Sequence, residues 1–141
     1  MKASPSGLPF WLQPIALATS TIHYYVCVIL LPVLVLAKYS SLTGFEIGVM
    51  FTGQTCGTML TYKFIEPAVR TFGLNKVINL GFFILVAANF MLYISVLLIV
   101  NSSDFSTAVF LTRFVSGIGC GLIDSSCLIS RTHYKTGFKT P

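Results

Sequence analysis

Leu111-Thr-Arg-Phe-Val-Ser-Gly-Ile-Gly-Cys-Gly-Leu-Ile-Asp124 is the stretch that decides how this chain is read. It sets Arg113, Gly117, Gly119, Gly121 and Asp124 inside an apolar segment long enough to cross a bilayer. A charge at the centre of a membrane helix costs roughly 2.5–3.5 kcal/mol on insertion scales, so such residues face a bundle interior and mark a solute or proton path. On a helix, Arg113, Gly117, Gly121 and Asp124 share one face. Arg113 and Asp124 are about 16 Å apart along the axis, too far to pair, so each calls for a partner on another helix or in water. Gly117 and Gly121 also form a GxxxG pattern, which brings helices close. Two readings stay open: tight packing with structural ion pairs, or a transport path lined by Arg113 and Asp124.

The surrounding composition places the stretch in a membrane. Of 141 residues, 55% are hydrophobic and only 9% charged, against about 25% charged in soluble domains. The net charge of +5 comes from positives scattered between apolar stretches. That pattern suits topology and not nucleic-acid binding. Four apolar spans are expected, at about residues 15–37, 45–65, 77–100 and 106–130, forming a single all-α integral membrane domain over 1–141. The loops between them, 38–44, 66–76 and 101–105, are short, which predicts antiparallel neighbours. The first span follows a proline-containing stretch and reads as uncleaved. With a cytoplasmic N-terminus, Lys2, Lys63, Arg70, Lys76, Arg131, Lys135 and Lys139 lie inside and only Lys38 outside. That bias puts both tails, 1–14 and 131–141, in the cytoplasm. The triplet Asn101-Ser102-Ser103 then becomes a glycosylation sequon in an external loop.

The other spans carry their own polar residues. The second holds Gly44, Gly48, Gly53 and Gly57, two GxxxG pairs, with Thr52, Gln54, Thr55 and Thr58 between them. Helix packing is the first reading and a polar cavity wall built on Gln54 the second. Glu46 and Lys63 lie near its ends, within snorkelling reach of the interface. In the first span Thr19, His23 and Cys27 share a face beside Tyr24 and Tyr25, and Pro32 predicts a kink. His23 is a candidate proton relay or solute contact, or a satisfied structural group. Asn79 and Asn89 are expected to hydrogen-bond between helices. Cys27, Cys56, Cys120 and Cys127 all fall in spans, unpaired in CxxC form, and read as packing residues. Nothing calls for a metal or a cofactor, and no phosphate loop, HExxH or nucleophile elbow suggests an enzyme.

The fourth span resembles the major facilitator superfamily, whose fourth helix carries an arginine, a glycine four residues on, and further glycines. Here these are Arg113, Gly117, Gly119 and Gly121. The family's loop between helices two and three runs G-x-x-x-D-R-x-G-R-K. Gly73 and Lys76 match it, while Glu66 replaces the first glycine and Arg70 the aspartate. The departure puts the family's gating charge contact in doubt. Phe45-Glu-Ile-Gly48-Val-Met-Phe is similar to the start of the family's second helix.

The resemblance implies a secondary transporter that moves a small organic solute by alternating access, with protons as a coupling ion. It makes Arg113 the charge on the path, with Asp124, His23 and Gln54 as its companions. The arginine motif leans towards the drug:proton antiporter and vesicular amine transporter group. Gly121-Leu-Ile-Asp124 is similar to fucose-permease-like sugar transporters. The family has two six-helix halves with the solute site between them. The four spans here therefore read as the first part of a half-domain, a fragment or truncated form whose partners are lipid and the remaining helices. The alternative is a self-contained four-span protein that acts by association with another membrane protein through its glycine-rich second and fourth spans. A small dimeric exporter is disfavoured because its acidic residue in the first span is missing here.

Overall fold

The computed structural model describes residues 12–39, 42–99 and 101–136, with side chains over 14–39, 42–99 and 101–130. Lys2 and the side chains of Arg131, Lys135 and Lys139, counted above for topology, lie outside the described residues. The described chain is all-helical: α1 Leu12–Lys38, α2 Gly44–Phe72, α3 Leu74–Leu98 and α4 Ser102–Thr136.

Three of these, not four, contain segments long and apolar enough to cross a membrane: Pro14–Lys38, Leu74–Leu98 and Ser102–Ser130. The expected second span falls short on composition. Thr52, Gln54, Thr55, Thr58 and Thr61, three interspersed glycines and the charges from Lys63 onward dilute its apolar content. The expected loop over 66–76 is also corrected. α2 runs through Pro67 to Phe72, and α3 begins two residues later. Pro67 removes one backbone donor, yet the helix continues and Thr71 donates its hydroxyl to the Pro67 carbonyl at 2.8 Å.

Gly73 alone makes the joint. Its φ of 83° and ψ of 150° lie in a region essentially reserved for glycine, and its N–H closes α2 on Val69 O at 2.9 Å. Gly73→Ala is therefore expected to destabilise the fold by about 1–3 kcal/mol, read as a lowered midpoint in thermal or detergent unfolding. At the other end of α2, Thr43 caps the helix. Its hydroxyl accepts from Glu46 N–H, and Glu46 Oε2 accepts from Thr43 N–H at 2.7 Å, a reciprocal capping box. Glu46, expected to snorkel, is thus held by the cap. Asn101 stands just before α4, and its carbonyl accepts from Phe105 N–H at 3.0 Å.

The short joints make consecutive helices antiparallel, but of the consecutive pairs only α3 and α4 are close neighbours. α2 and α3 touch only slightly, and α4 packs against both, most extensively against α2, to which it runs parallel. α4 is the axis of the bundle. Half of its candidate span is buried, against 22% for α1 and 17% for α3. At one end of the bundle Leu31, Val35, Tyr39, Met50, Phe105 and Val109 form the core, with the Tyr39 and Phe105 rings stacked 4.6 Å apart. There Lys38 Nζ donates to the carbonyls of Val96 and Ile99, and Tyr39 OH also donates to Ile99 O, which closes the carbonyl end of α3. Nearer the other end Ala16, Ile78, Leu85, Cys120, Ile123 and Cys127 pack together, flanked by Ile65, Val77 and Leu122.

Candidate functional site

Glycine brings α2 and α4 together. A Cβ on Gly53 would stand 2.6 Å from Phe110 O, and one on Gly121 2.9 Å from Thr61 Cβ. Cβ atoms on Gly57 and Gly117 would run into the carbonyls of Phe114 and Gln54. The two GxxxG patterns therefore meet each other inside the chain. Gly119 points the other way, where a Cβ would lie 2.9 Å from Gly81 O of α3. At the α2–α4 contact, Thr58 donates its hydroxyl towards Gln54 O at 3.0 Å and Gly117 O at 3.1 Å. Thr61 donates to Gly57 O at 2.9 Å. Gln54, Thr58 and Thr61 of the polar edge that lowers the hydropathy of α2 are thus spent on α4, while Thr52 and Thr55 stay exposed. Gly44 and Gly48, in the other GxxxG pair, face open space.

This close approach positions two charge clusters along α4. Arg113 is 1% exposed. Its guanidinium carbon sits 5.4 Å from the centre of the Phe51 ring. His23 and Cys27 of α1 fall within its electrostatic reach. The Cys27 thiol lies 3.9 Å from His23 Nδ1 and also faces the Arg113 side chain, a weak sulfur contact. None of the three guanidinium nitrogens has a hydrogen-bond partner among the described residues, and His23 Nε2 is likewise buried and unpartnered. Leaving such donors unpaired is costly, more so for a charged group.

Asp124 lies further along α4 and takes a different partner. Ser20 of α1 donates to Asp124 Oδ1 at 2.6 Å. Asp124 stands between two clefts. The larger, about 310 Å³, is lined by Ser20, Thr21, Tyr24 and Tyr25 of α1, Gln54, Thr55 and Thr58 of α2, and Cys120. The smaller, about 260 Å³, is lined by Leu17, Tyr62, Ser125 and Leu128. Gln54 is 5% exposed. Its Nε2 points at Cys120 Sγ at 3.8 Å, and its Oε1 is buried without a partner.

The structure therefore brings Arg113 beside His23, and Asp124 and Gln54 onto one cleft, in two separate clusters. Several expectations are corrected. Thr19, one turn before His23 on α1, is exposed and donates to its own helix at Ile15 O, 2.9 Å away, so it does not join the Arg113 cluster. Asn89 also bonds its own helix, at Leu85 O, and Asn79 is exposed, so neither is seen to bridge helices. Cys56 is exposed, unlike the other three cysteines. Arg70 pairs with Glu66 at 2.6 Å on an exposed turn of α2, away from both clusters, and Lys76 is exposed in the first turn of α3. The Asn101 side chain donates to Asp104 at 3.2 Å and so helps to cap α4.

The sequence reading missed Ser20 and Phe51. Ser20 extends the buried stripe of α1 through Ala16, Cys27 and Leu31, a spacing visible in the sequence once His23 is ignored. Phe51 had no signal apart from a fixed pairing of α2 with α4. Comparison with protein-family models, curated proteins and solved structures gave no match to this chain.

Proposed function

We propose that this chain is the N-terminal part of a secondary transporter of the major facilitator type, which moves a small organic solute by alternating access with proton coupling. Both termini would lie in the cytoplasm, and α2 would cross the bilayer beside α4 with its polar edge turned inward. The observation that carries the reading is Arg113. It is a 1%-exposed cation on a membrane-length helix, with three guanidinium nitrogens left without hydrogen bonds among the described residues. A purely structural arginine would have its donors satisfied. An arginine on a path holds them for a solute, a proton acceptor or an arriving helix. The buried, unpartnered His23 Nε2 beside it supports the proton-handling part of the reading.

The competing reading, an association module working through glycine faces, loses support at this point. Gly53, Gly57, Gly117 and Gly121 are already consumed within the chain.

Flux tests the proposal. The native protein, reconstituted in vesicles loaded with a pH-sensitive dye, is challenged with a panel of sugars, amines and cationic dyes. Saturable solute flux accompanied by proton movement is expected, and Arg113→Gln at equal membrane abundance is expected to abolish it. Normal flux by Arg113→Gln would overturn the assignment of Arg113, and no flux of any solute by the native protein would overturn transport.

A further inference from the structure

The unspent surface charge of the bundle is gathered at one end. At the other end each charge among the described residues has a partner. Lys38 Nζ donates to the Val96 and Ile99 carbonyls, Glu46 closes the cap on Thr43, and Asp104 accepts from Asn101. Where α2 meets α3, Glu66 is the one acid among the described residues, and Arg70 occupies it at 2.6 Å. Lys63 and Lys76 are exposed there and pair with nothing among the described residues. α4 runs parallel to α2 and carries positions Arg131 and Lys135 to the same end. About four to eight basic residues gathered beside a membrane helix attract acidic lipids.

Helix length fixes the depth of these cations. From Gly44, at the end marked by the Thr43 cap, α2 rises about 28 Å to Lys63. The hydrocarbon core is about 30 Å thick, so Lys63 stands at its far boundary. The turns beyond it, through Phe72, reach into the headgroup layer. α3 returns from the Gly73 joint with Lys76 about 33 Å from Leu98, at a matching level. Tyr62, next to Lys63, is exposed. A ring with an apolar body and a polar tip suits that boundary. This level favours a lipid phosphate over a soluble acidic protein as the partner of Lys63.

We infer that the end of the bundle around the α2–Gly73–α3 joint binds acidic phospholipid headgroups, with Lys63 and Lys76 as free cations for the lipid phosphate and Arg70 held back by Glu66. The inference goes beyond transport and rests only on α2 crossing the bilayer beside α4. Orientation needs such positives during insertion. The folded chain leaves two of them unspent on the surface that the headgroups meet. Releasing Arg70 from Glu66 adds a third, which sets this surface apart from charge that serves insertion alone.

The test offers the whole chain in mild detergent an equimolar mixture of dioleoyl phosphatidylglycerol and dioleoyl phosphatidylcholine, and counts bound lipids by native mass spectrometry. A preference for phosphatidylglycerol of about tenfold or more is expected, on the scale of about fivefold per lysine. Phosphatidylserine, of the same net charge, should match phosphatidylglycerol. Lys63→Gln and Lys76→Gln should each lower the preference several-fold, and the double variant should lose most of it. Glu66→Gln, which frees Arg70, should raise it several-fold. Helix content by circular dichroism should stay unchanged in all of them, because every substituted side chain is exposed. The preference itself is read on the unmodified chain, so a variant that fails to fold does not blunt the test. Equal binding of the two lipids, a preference that survives the double variant, or one that Glu66→Gln leaves unchanged would overturn the surface. A poly-glutamate peptide that binds the native chain but not the double variant, without any lipid preference, would give the surface to an acidic protein and overturn the lipid reading. Acidic-lipid preference in a native protein that transports nothing would leave this surface standing and sink the transport reading. Transport without the preference would do the reverse.

Discussion

Valine at Gly57 or at Gly117 is expected to take apart the α2–α4 pair and with it the bundle. A Cβ at Gly57 would run into Phe114 O and stand 3.0 Å from Ile118 N. At Gly117 it would run into Gln54 O and stand 2.9 Å from Gln54 Cα. These obstacles are backbone, which cannot swing aside as a side chain does, so the helices must separate. The cost should reach about 3 kcal/mol or more, the upper end of overpacking penalties. Separation also strips the Thr58 and Thr61 hydroxyls of their reach to the α4 carbonyls. Gly48→Ala is the control, because nothing lies within 4 Å of its Cβ position. On helix propensity alone it should stabilise by about 0.5–1 kcal/mol. Detergent-solubilised variants followed by thermal unfolding would show Gly57→Val and Gly117→Val melting far below the parent, with Gly48→Ala at or above it. Equal midpoints for Gly48→Ala and Gly57→Val would mean that the glycines do not set the α2–α4 approach.

Arg113→Met is expected to make the chain more stable. The guanidinium is buried with no hydrogen bond to its nitrogens among the described residues, and the Phe51 ring lies 5.4 Å from its carbon. Methionine keeps much of the volume and discards the charge. Replacing buried ionic groups by apolar ones of similar volume often gains about 1–4 kcal/mol, and a gain in that range is the expected shift in unfolding free energy. Flux in the native protein should vanish in the same variant. Stability gained where function is lost is the signature of a residue held for use. A loss of stability in Arg113→Met would instead show that the arginine holds the bundle together.

How far the sequence could be read follows from what each feature depends on. The Arg113-to-Asp124 stretch, the three apolar segments and the GxxxG spacings are local. Hydropathy and helical periodicity are properties of consecutive residues, so the helices and the buried charge on α4 were legible. α2 was harder, because its threonines and Gln54 look the same in sequence whether they face lipid, water or another helix. Only its docking on α4 explains how Gln54 and Thr61 come to be buried. The joint at Gly73 was misread as an eleven-residue loop because Pro67 signals a break that α2 overrides.

By itself the sequence determined an all-helical chain, with membrane-length apolar segments and charges set among glycines on one face of α4. Those outcomes follow from short-range sterics and from the water-to-lipid preference of each side chain. The tertiary structure alone decided that α4 is the axis and that α2 lies parallel to it. It also set Arg113 over the Phe51 ring while Asp124 went to Ser20 and the cleft. These pairings join residues up to 104 positions apart. They depend on how closely the glycine faces allow two backbones to approach, a distance that no stretch of one helix encodes.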